Sequence, residues 1–278
     1  MRKHTLMACF CLLAGAGTLI VSCKKESAPV TTTEDQSAVS QSTLDRISAL
    51  GFSTAGVRKF NDGYLVEGDI LLSEKDLATQ KISHALHTPK EEQYSTTNLV
   101  TGLPRTITVR VASTLGTAFV TGTDTAIARY NRLNLRITFR RVTSGTANIT
   151  ISGFNQGPSG GGIVLGSAGF PTSSGNPYNS ILMNTNAAAY GSNPNVLYVG
   201  SVIQHEIGHC IGFRHTDYFN RALSCGGATS NEGTAGVGAV HIPGTPTGNS
   251  SNSWMLACSN GGNRTFNAAD IVALNYLY

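Results

Sequence analysis

Residues 205–217 constrain this chain more than any other segment. They read His-Glu-Ile-Gly-His-Cys-Ile-Gly-Phe-Arg-His-Thr-Asp, which is HExxHxxGxxHxD in pattern form. His205 and His209 are four residues apart, so on an α-helix their side chains lie on one face, one turn apart. Two imidazoles placed in this way can converge on one metal ion, with Glu206 beside them. The run therefore predicts a metal site built on a helix.

Gly212 predicts how a third histidine reaches the same ion. A helix continued from His209 to His215 would rise about 9 Å and rotate the later side chain away from the metal. Glycine readily adopts the left-handed conformation that ends a helix and turns the chain back. We therefore predict that all three histidines bind one zinc ion, with a fourth position left for water. Glu206 is then placed to act as the general base.

The run resembles the metzincin zinc peptidases, and its HEIGH letters resemble the bacterial dual-action HEIGH metallopeptidase family. The resemblance implies an α+β fold with a twisted mixed sheet, a zinc helix, a methionine turn below the metal and a C-terminal helix. Met255, which lies 40 residues after His215, is the expected methionine. Metzincins commonly place an acidic residue directly after the third histidine. Here Thr216 intervenes, so the role of Asp217 stays open.

Residues 1–22 resemble the signal peptide of a bacterial lipoprotein. Basic residues precede an apolar stretch over residues 6–21, which falls short of the roughly 20 residues that span a bilayer. Ile-Val-Ser-Cys, ending at Cys23, resembles a lipobox, so we expect lipidation of Cys23; a plain secretory signal is the alternative. The protein would then be exported and held at the outer membrane or cell surface by its lipid alone. Release by propeptide cleavage stays open.

Charge divides the rest of the chain. Residues 24–95 hold 8 basic and 11 acidic residues, whereas residues 96–278 hold 10 arginines, no lysine and 5 acidic residues. An acidic segment joined to a basic one indicates either a self-inhibiting propeptide or a simple stalk. We predict a tether and inhibitory propeptide over residues 23–95 and a catalytic domain over residues 96–278.

Val-Glu-Gly-Asp-Ile at residues 66–70 is similar to a short motif in astacin propeptides, in which an aspartate after glycine occupies the zinc site. The resemblance implies that Asp69 keeps the enzyme latent. Gly68 would allow the backbone to approach the cleft closely. The alternative is a surface turn of the kind that glycine and aspartate usually form.

Local patterns predict the secondary structure. Residues 160–166 resemble the rim of a metzincin cleft, where an exposed edge strand pairs with an extended substrate. We predict that Pro194 opens the zinc helix with Asn193 as its cap, and that Asn267 caps a terminal helix. The remaining predicted elements are a helix near residues 44–50, a strand or extended segment over 64–70, strands over 106–111, 135–140, 148–151 and 181–184, and a helix over 118–133.

Three cysteines remain after the signal peptide and the lipidation site, namely Cys210, Cys225 and Cys258. In an oxidising compartment an odd number predicts one disulfide and one thiol. We favour Cys225–Cys258, but the sequence leaves all three pairings open.

Partners follow from composition and family resemblance. The excess arginine lacks the aromatic interleaving of a nucleic-acid surface, which excludes that class of partner. We expect a monomer that binds one zinc ion, with no sequence support for calcium, and that acts on protein or peptide substrates.

These features together predict a zinc-dependent endopeptidase. Two alternatives remain. One is a non-catalytic, zinc-stabilised surface lipoprotein for adhesion or binding, although such a protein would be free to lose Glu206. The other is a hydrolase that acts on a different target, such as cell-wall peptide crosslinks.

Overall fold

The computed structural model describes residues 39–79, 93–159, 161–233, 238–246 and 250–278. The predicted signal peptide and Cys23 lie outside the described residues. All described residues fall within one compact unit, Thr31–Tyr278. In chain order the elements are α1 (Gln41–Ala49), β1 (Arg58–Phe60), β2 (Gly63–Val66), β3 (Ile70–Ser73), α2 (Glu74–Thr79), β4 (Tyr94–Ser95), β5 (Arg105–Val111), α3 (Thr117–Asn131), β6 (Ile137–Arg141), β7 (Ile149–Phe154), β8 (Gly166–Ser167), β9 (Ser180–Asn184), α4 (Ala187–Tyr190), α5 (Val196–Cys210), α6 (Ala222–Cys225), β10 (Val240–His241) and α7 (Ala268–Leu277).

The fold is α+β, as predicted, and its centre is a twisted mixed sheet of five strands. The strands lie in the order β6-β5-β7-β9-β8, and β8 alone runs antiparallel to its neighbour in this sheet. Burial alternates along β6, from Ile137 to Phe139, as expected for a strand with one face against the core. Of the described residues in the predicted edge strand, 161–166, only Gly166 belongs to a strand, and that strand continues to Ser167.

Helices α3 and α5 pack closely against each other and provide much of the main core. A Cβ added to Gly122 of α3 would lie 3.0 Å from the backbone nitrogen of Gly200 in α5, so glycine lets the two helices approach. Fully buried aliphatic side chains fill the space between these helices and the sheet, each stabilising the fold by roughly 1.5–3 kcal/mol. They include Ile107, Val109, Ile137, Ile149, Ile151, Ile181, Val199, Ile203 and Ile207.

The sequence predicted the start of α7 correctly but not the start of α5. The side chain of Asn267 accepts a hydrogen bond from the Asp270 nitrogen and caps α7, as predicted. The predicted cap of the zinc helix is wrong. Asn195, not Asn193, caps α5, because its side-chain oxygen accepts hydrogen bonds from the nitrogens of Leu197 and Tyr198. The helix therefore begins after Pro194.

Residues 39–79 form a small layer of α1, three antiparallel strands and α2. The predicted single extended segment over residues 64–70 is wrong, because β2 ends at Val66 and β3 begins at Ile70. Glu67, with a φ of 53°, and Gly68, with a φ of 90°, lie between the two strands. Their left-handed conformations reverse the chain. Apolar residues of this layer share a core with Phe170, so the layer packs directly on the main domain.

Among the described residues, no helix combines the length and the apolar character needed to cross a membrane.

Candidate metal centre

The three motif histidines meet at one point. His205 and His209 project from α5, and the chain then turns back at Gly212, whose φ is 106°. The Nε2 atom of His209 lies 3.0 Å from Nε2 of His205 and 3.2 Å from Nε2 of His215. A Cβ at position 212 would also lie 2.8 Å from the side chain of Leu99, so glycine is needed for space as well as for conformation.

The outer nitrogens of these rings are all hydrogen-bonded. Nδ1 of His205 lies 2.9 Å from the Trp254 carbonyl oxygen, and Nδ1 of His209 lies 2.8 Å from the Phe213 carbonyl oxygen. Because a carbonyl oxygen only accepts, each Nδ1 donates, and each Nε2 presents a lone pair to the centre. Lone pairs this close repel one another unless a cation lies between them.

The ligand atoms fit zinc. Zinc takes four ligands at about 2.0–2.2 Å, which places neighbouring ligand atoms about 3.3 Å apart. The observed separations of 3.0 and 3.2 Å between nitrogens are close to that value. Imidazole nitrogen and carboxylate oxygen are both ordinary zinc ligands.

Glu232 contacts the third histidine of the cluster, and the sequence did not predict this contact. Its Oε1 atom lies 2.8 Å from Nδ1 of His215, and its side chain is almost fully buried. Burial disfavours the charged imidazolium, but the carboxylates of Asp69 and Glu232 prevail and raise the pKa of His215 well above its usual value. No motif marks Glu232. The sequence feature that could have pointed to it is the low number of acidic residues, since residues 96–278 contain only five.

Asp69 completes the cluster. Its Oδ2 atom lies 3.0 Å from Nε2 of His215, 3.4 Å from Nε2 of His205 and 4.0 Å from Nε2 of His209. One ligand atom from each of the four residues lies within 4.8 Å of all the others. Burial opposes ionisation, but the surrounding histidines, with His215 the strongest, keep the pKa of Asp69 well below its usual value.

The backbone around Asp69 pairs with the edge of the main sheet. The Ala168 nitrogen donates to the Asp69 carbonyl at 3.1 Å, and the Leu71 nitrogen donates to the Ala168 carbonyl at 2.8 Å. Ala168 directly follows the edge strand β8. The segment that carries Asp69 thus pairs with the chain just beyond β8, next to the stretch that is predicted to pair with a substrate.

Glu206 lies against this edge. A Cβ added to Gly166 would stand 2.7 Å from the Glu206 Oε1 atom, so glycine gives the carboxylate its space. Its Oε2 atom is buried and has no hydrogen-bond partner among the described residues. Burial, reinforced by the charge of Asp69, raises the pKa of Glu206 well above its usual value. A buried carboxylate with a free oxygen is suited to receive a proton.

A family model described as dual-action HEIGH metallo-peptidase matches residues 64–278. The chain belongs to this family. The match includes Asp69 as well as the three histidines.

Two solved structures of myroilysin are among the structures similar to this HEIGH metallo-peptidase. One is 16% identical and covers 44% of this chain and 54% of that chain, with a TM-score of 0.33. The other is 15% identical and covers 65% of this chain and 86% of that chain, with a TM-score of 0.39. The chain thus spans about half the length of the first. No curated protein matches the chain.

Met255 packs against α5, the helix that carries His205 and His209. It is fully buried, and a Cβ added to Gly208 would stand 2.6 Å from its sulfur and 2.4 Å from the Trp254 ring. The Thr216 nitrogen donates to the Met255 carbonyl at 2.8 Å, which joins this turn to the chain just after the third histidine. The two segments that surround the metal cluster are therefore held together by backbone.

Asp217 lies outside the metal cluster and makes structural contacts instead. It accepts hydrogen bonds from the Ser224 hydroxyl at 2.5 Å and from the Ala257 nitrogen at 2.9 Å. Next to these contacts, Cys225 and Cys258 form a disulfide, which is the favoured pairing. Cys210 is buried and free, and burial raises the pKa of its thiol well above the usual value.

A cavity of about 490 Å³ adjoins the metal cluster of the HEIGH metallo-peptidase. His205, Glu206, Leu256 and Arg264 are among its lining residues. It therefore offers space for a side chain next to the group that would receive the proton.

Proposed function

We propose that this HEIGH metallo-peptidase is an exported zinc endopeptidase of the metzincin type, kept latent by Asp69. One observation carries the proposal: three histidine Nε2 atoms converge on one point beside a buried, unpartnered oxygen of Glu206. The left-handed Gly212 and the buried Met255 below the site support the metzincin assignment.

His205, His209 and His215 would hold the metal. When bound, zinc polarises the scissile carbonyl and lowers the pKa of the attacking water to about 7. Glu206 takes the proton from that water and returns it to the leaving amine, so that no covalent intermediate is needed. Burial of the Glu206 carboxylate suits this exchange, because burial raises its pKa and so favours the form that has accepted a proton.

The edge of the main sheet would hold the substrate. Ala168 uses its nitrogen and its oxygen to pair with residues 69–71. The same backbone groups can pair with an extended peptide once that segment leaves. Pairing along an open edge suits a substrate that continues in both directions, which favours an endopeptidase.

Latency would follow from two contacts made by one segment. The Asp69 carboxylate lies where the fourth ligand of a three-histidine zinc site would stand. The backbone of Asp69 and Leu71 pairs with the substrate edge at the same time. A substrate and a catalytic water would therefore both be excluded until the segment moves.

The test is cleavage of a mixed peptide library by the zinc-loaded full chain carrying Asp69→Ala. The matched control is the same chain with Glu206→Gln added. We expect cleavage by the first protein and a loss of at least about a hundredfold in the second, with bound zinc equal in both. A folded, zinc-loaded Asp69→Ala chain that cleaves nothing, even after a lysine-specific protease has cut the acidic segment away from residues 96–278, which contain no lysine, would refute the proposal and favour the non-catalytic alternative.

We further propose that Cys23 carries the lipid that anchors a monomeric enzyme. The lipobox-like residues before it support this assignment. Cys23→Ser should move the protein from the membrane fraction to the soluble fraction. Unchanged membrane association would contradict lipidation.

A further inference from the structure

Two arginines beside the metal centre contact the segment that carries Asp69. Oε2 of Glu67 lies 2.8 Å from Nη2 of Arg214, and both side chains are almost completely buried. Arg221 donates to the carbonyl oxygen of Glu67 and, at 2.7 Å, to Oε1 of Glu232. Glu232 carries the carboxylate that faces both guanidinium groups, whereas burial raises the pKa of Glu67 to about 8 although the charge of Arg214 lowers it.

The guanidinium of Arg214 is held in place by the main domain. Its Nη1 atom donates to the carbonyl oxygens of Gly233 at 3.1 Å and Gly238 at 3.2 Å. The ring of Tyr218 lies 5.4 Å from its central carbon. These partners belong to the predicted catalytic domain and not to the layer that carries Glu67, although Phe52 of that layer also lies 5.9 Å from the same guanidinium.

The guanidinium of Arg214 has a nitrogen that Glu67 does not use. The Nε atom of Arg214 is buried and has no hydrogen-bond partner among the described residues. Nε and Nη2 form the side through which arginine binds a carboxylate by two parallel hydrogen bonds. Glu67 uses Nη2 alone, so an acid that approaches from a different backbone can use both.

Removal of Glu67 leaves two guanidinium groups facing one carboxylate. A buried, unpaired charge is costly, so the vacated pocket favours an anion in the place of Glu67. Lysine and arginine side chains would be repelled there. The pocket lies on the His215 side of the metal centre, because Arg214 precedes that histidine and Glu232 contacts both residues.

We propose that Arg214, assisted by Arg221, forms a specificity pocket for an acidic substrate side chain close to the scissile bond. Glu67 fills this pocket in the latent chain, as Asp69 fills the metal site. The inference rests on the proposed peptidase function and narrows its substrates to peptides that carry glutamate or aspartate at one fixed position.

The experiment uses the zinc-loaded full chain with Glu67→Ala and Asp69→Ala, which vacates the pocket and the metal site together. Peptides that differ only by glutamate or glutamine are compared at each position around the cleavage site. We expect one position at which glutamate raises kcat/KM at least about tenfold, as a charge-assisted hydrogen bond would.

Adding Arg214→Gln should bring the glutamate-to-glutamine ratio close to one. If that variant fails to fold, Arg221→Gln, whose parent side chain is partly exposed, should lower the ratio instead. The exposed Arg140→Gln should leave the ratio unchanged. Efficient cleavage with no preference for glutamate at any position would overturn the inference and leave the peptidase function standing.

If no peptide is cleaved, peptide binding measured by calorimetry tests the inference. Calorimetry on the same double variant with Glu206→Gln would compare acetyl-Ala-Ala-Glu-Ala-Ala-amide with its glutamine analogue. Tighter binding of the glutamate peptide, lost with Arg214→Gln or Arg221→Gln, would support the pocket although the peptidase function had failed. Equal binding of the two peptides would overturn it.

Discussion

The Oδ2 atom of Asp69 lies 3.0 Å from Nε2 of His215, although 146 residues separate the two in the chain. The same histidine contacts Glu232 through its other nitrogen. The third histidine is therefore held between a carboxylate that would compete with substrate and one that orients the ring. His215 therefore links the proposed inhibition by Asp69 to the predicted metal site.

Removal of the Asp69 carboxylate should activate the enzyme. We expect Asp69→Ala to raise peptide hydrolysis by the zinc-loaded full chain at least about tenfold, because a tethered inhibitor acts at a millimolar effective concentration. Asp62→Ala, which removes an exposed acid from the same layer, is the control and should change nothing. Equal activity of Asp69→Ala and the unmodified chain would contradict the latency proposal.

Metal removal should destabilise the fold. Zinc that binds the folded chain alone, at a free concentration a hundred times its Kd, stabilises by about 2.7 kcal/mol. For a chain of this size that amount corresponds to a fall in Tm of roughly 5–11 °C after chelation. Differential scanning calorimetry with and without chelator measures the change. His209→Ala should show no difference between the two conditions, and an unmodified chain that also shows none would argue against a structural contribution from the metal.

Glu232 should control zinc affinity without binding zinc. Glu232→Gln keeps the shape of the side chain but removes the charge that orients His215, so we expect zinc affinity to fall about 10- to 100-fold. Competition with a chromophoric chelator measures the affinity. Asp124→Asn makes the same chemical change on an exposed acid and should leave affinity intact. An unaltered Kd in Glu232→Gln would show that the contact is not functional.

Gly208 should not accept a side chain. Its missing Cβ leaves room for the Trp254 ring and the sulfur of Met255, at 2.4 and 2.6 Å from the position a Cβ would take. We expect Gly208→Ala to lower the free energy of unfolding by about 1–3 kcal/mol through overpacking. Gly157→Ala, which would meet no atom within 4 Å, is the control. Urea unfolding compares the two, and equal stability would mean that Met255 packs elsewhere.

The disulfide should stabilise the loop after the third histidine. Cys225 and Cys258 are 33 residues apart, and closing a loop of that length contributes about 3–4 kcal/mol on the chain-entropy account. Cys225→Ser with Cys258→Ser should lose about that amount in urea unfolding, and reduction of the unmodified chain should lose the same. A peptide map that links Cys210 to either partner would contradict the pairing.

Local chemistry in the sequence predicted those parts of the site that lie within one stretch of chain. The i, i+4 spacing of His205 and His209 places both on one helical face, and Gly212 marks where the helix ends. Asn267 similarly predicts the start of α7. The cap of the zinc helix was predicted wrongly because Asn193 and Asn195 are equivalent in a local pattern. Only the geometry shows which one reaches the free backbone nitrogens.

Tertiary structure decided the contacts between distant segments. Glu232 has no motif, and it becomes part of the site because the chain after His215 returns to place it against Nδ1. The pairing of Cys225 with Cys258 and the position of Arg214 opposite Glu67 depend equally on packing. Asp69 lay between the two cases, since a short motif suggested its role but only the folded chain brings it to the histidines. The sequence by itself determined the chemistry of the centre, because ligand type and helical spacing are local properties. Tertiary structure decided which charges surround that centre, because burial and pairing depend on how the whole chain packs.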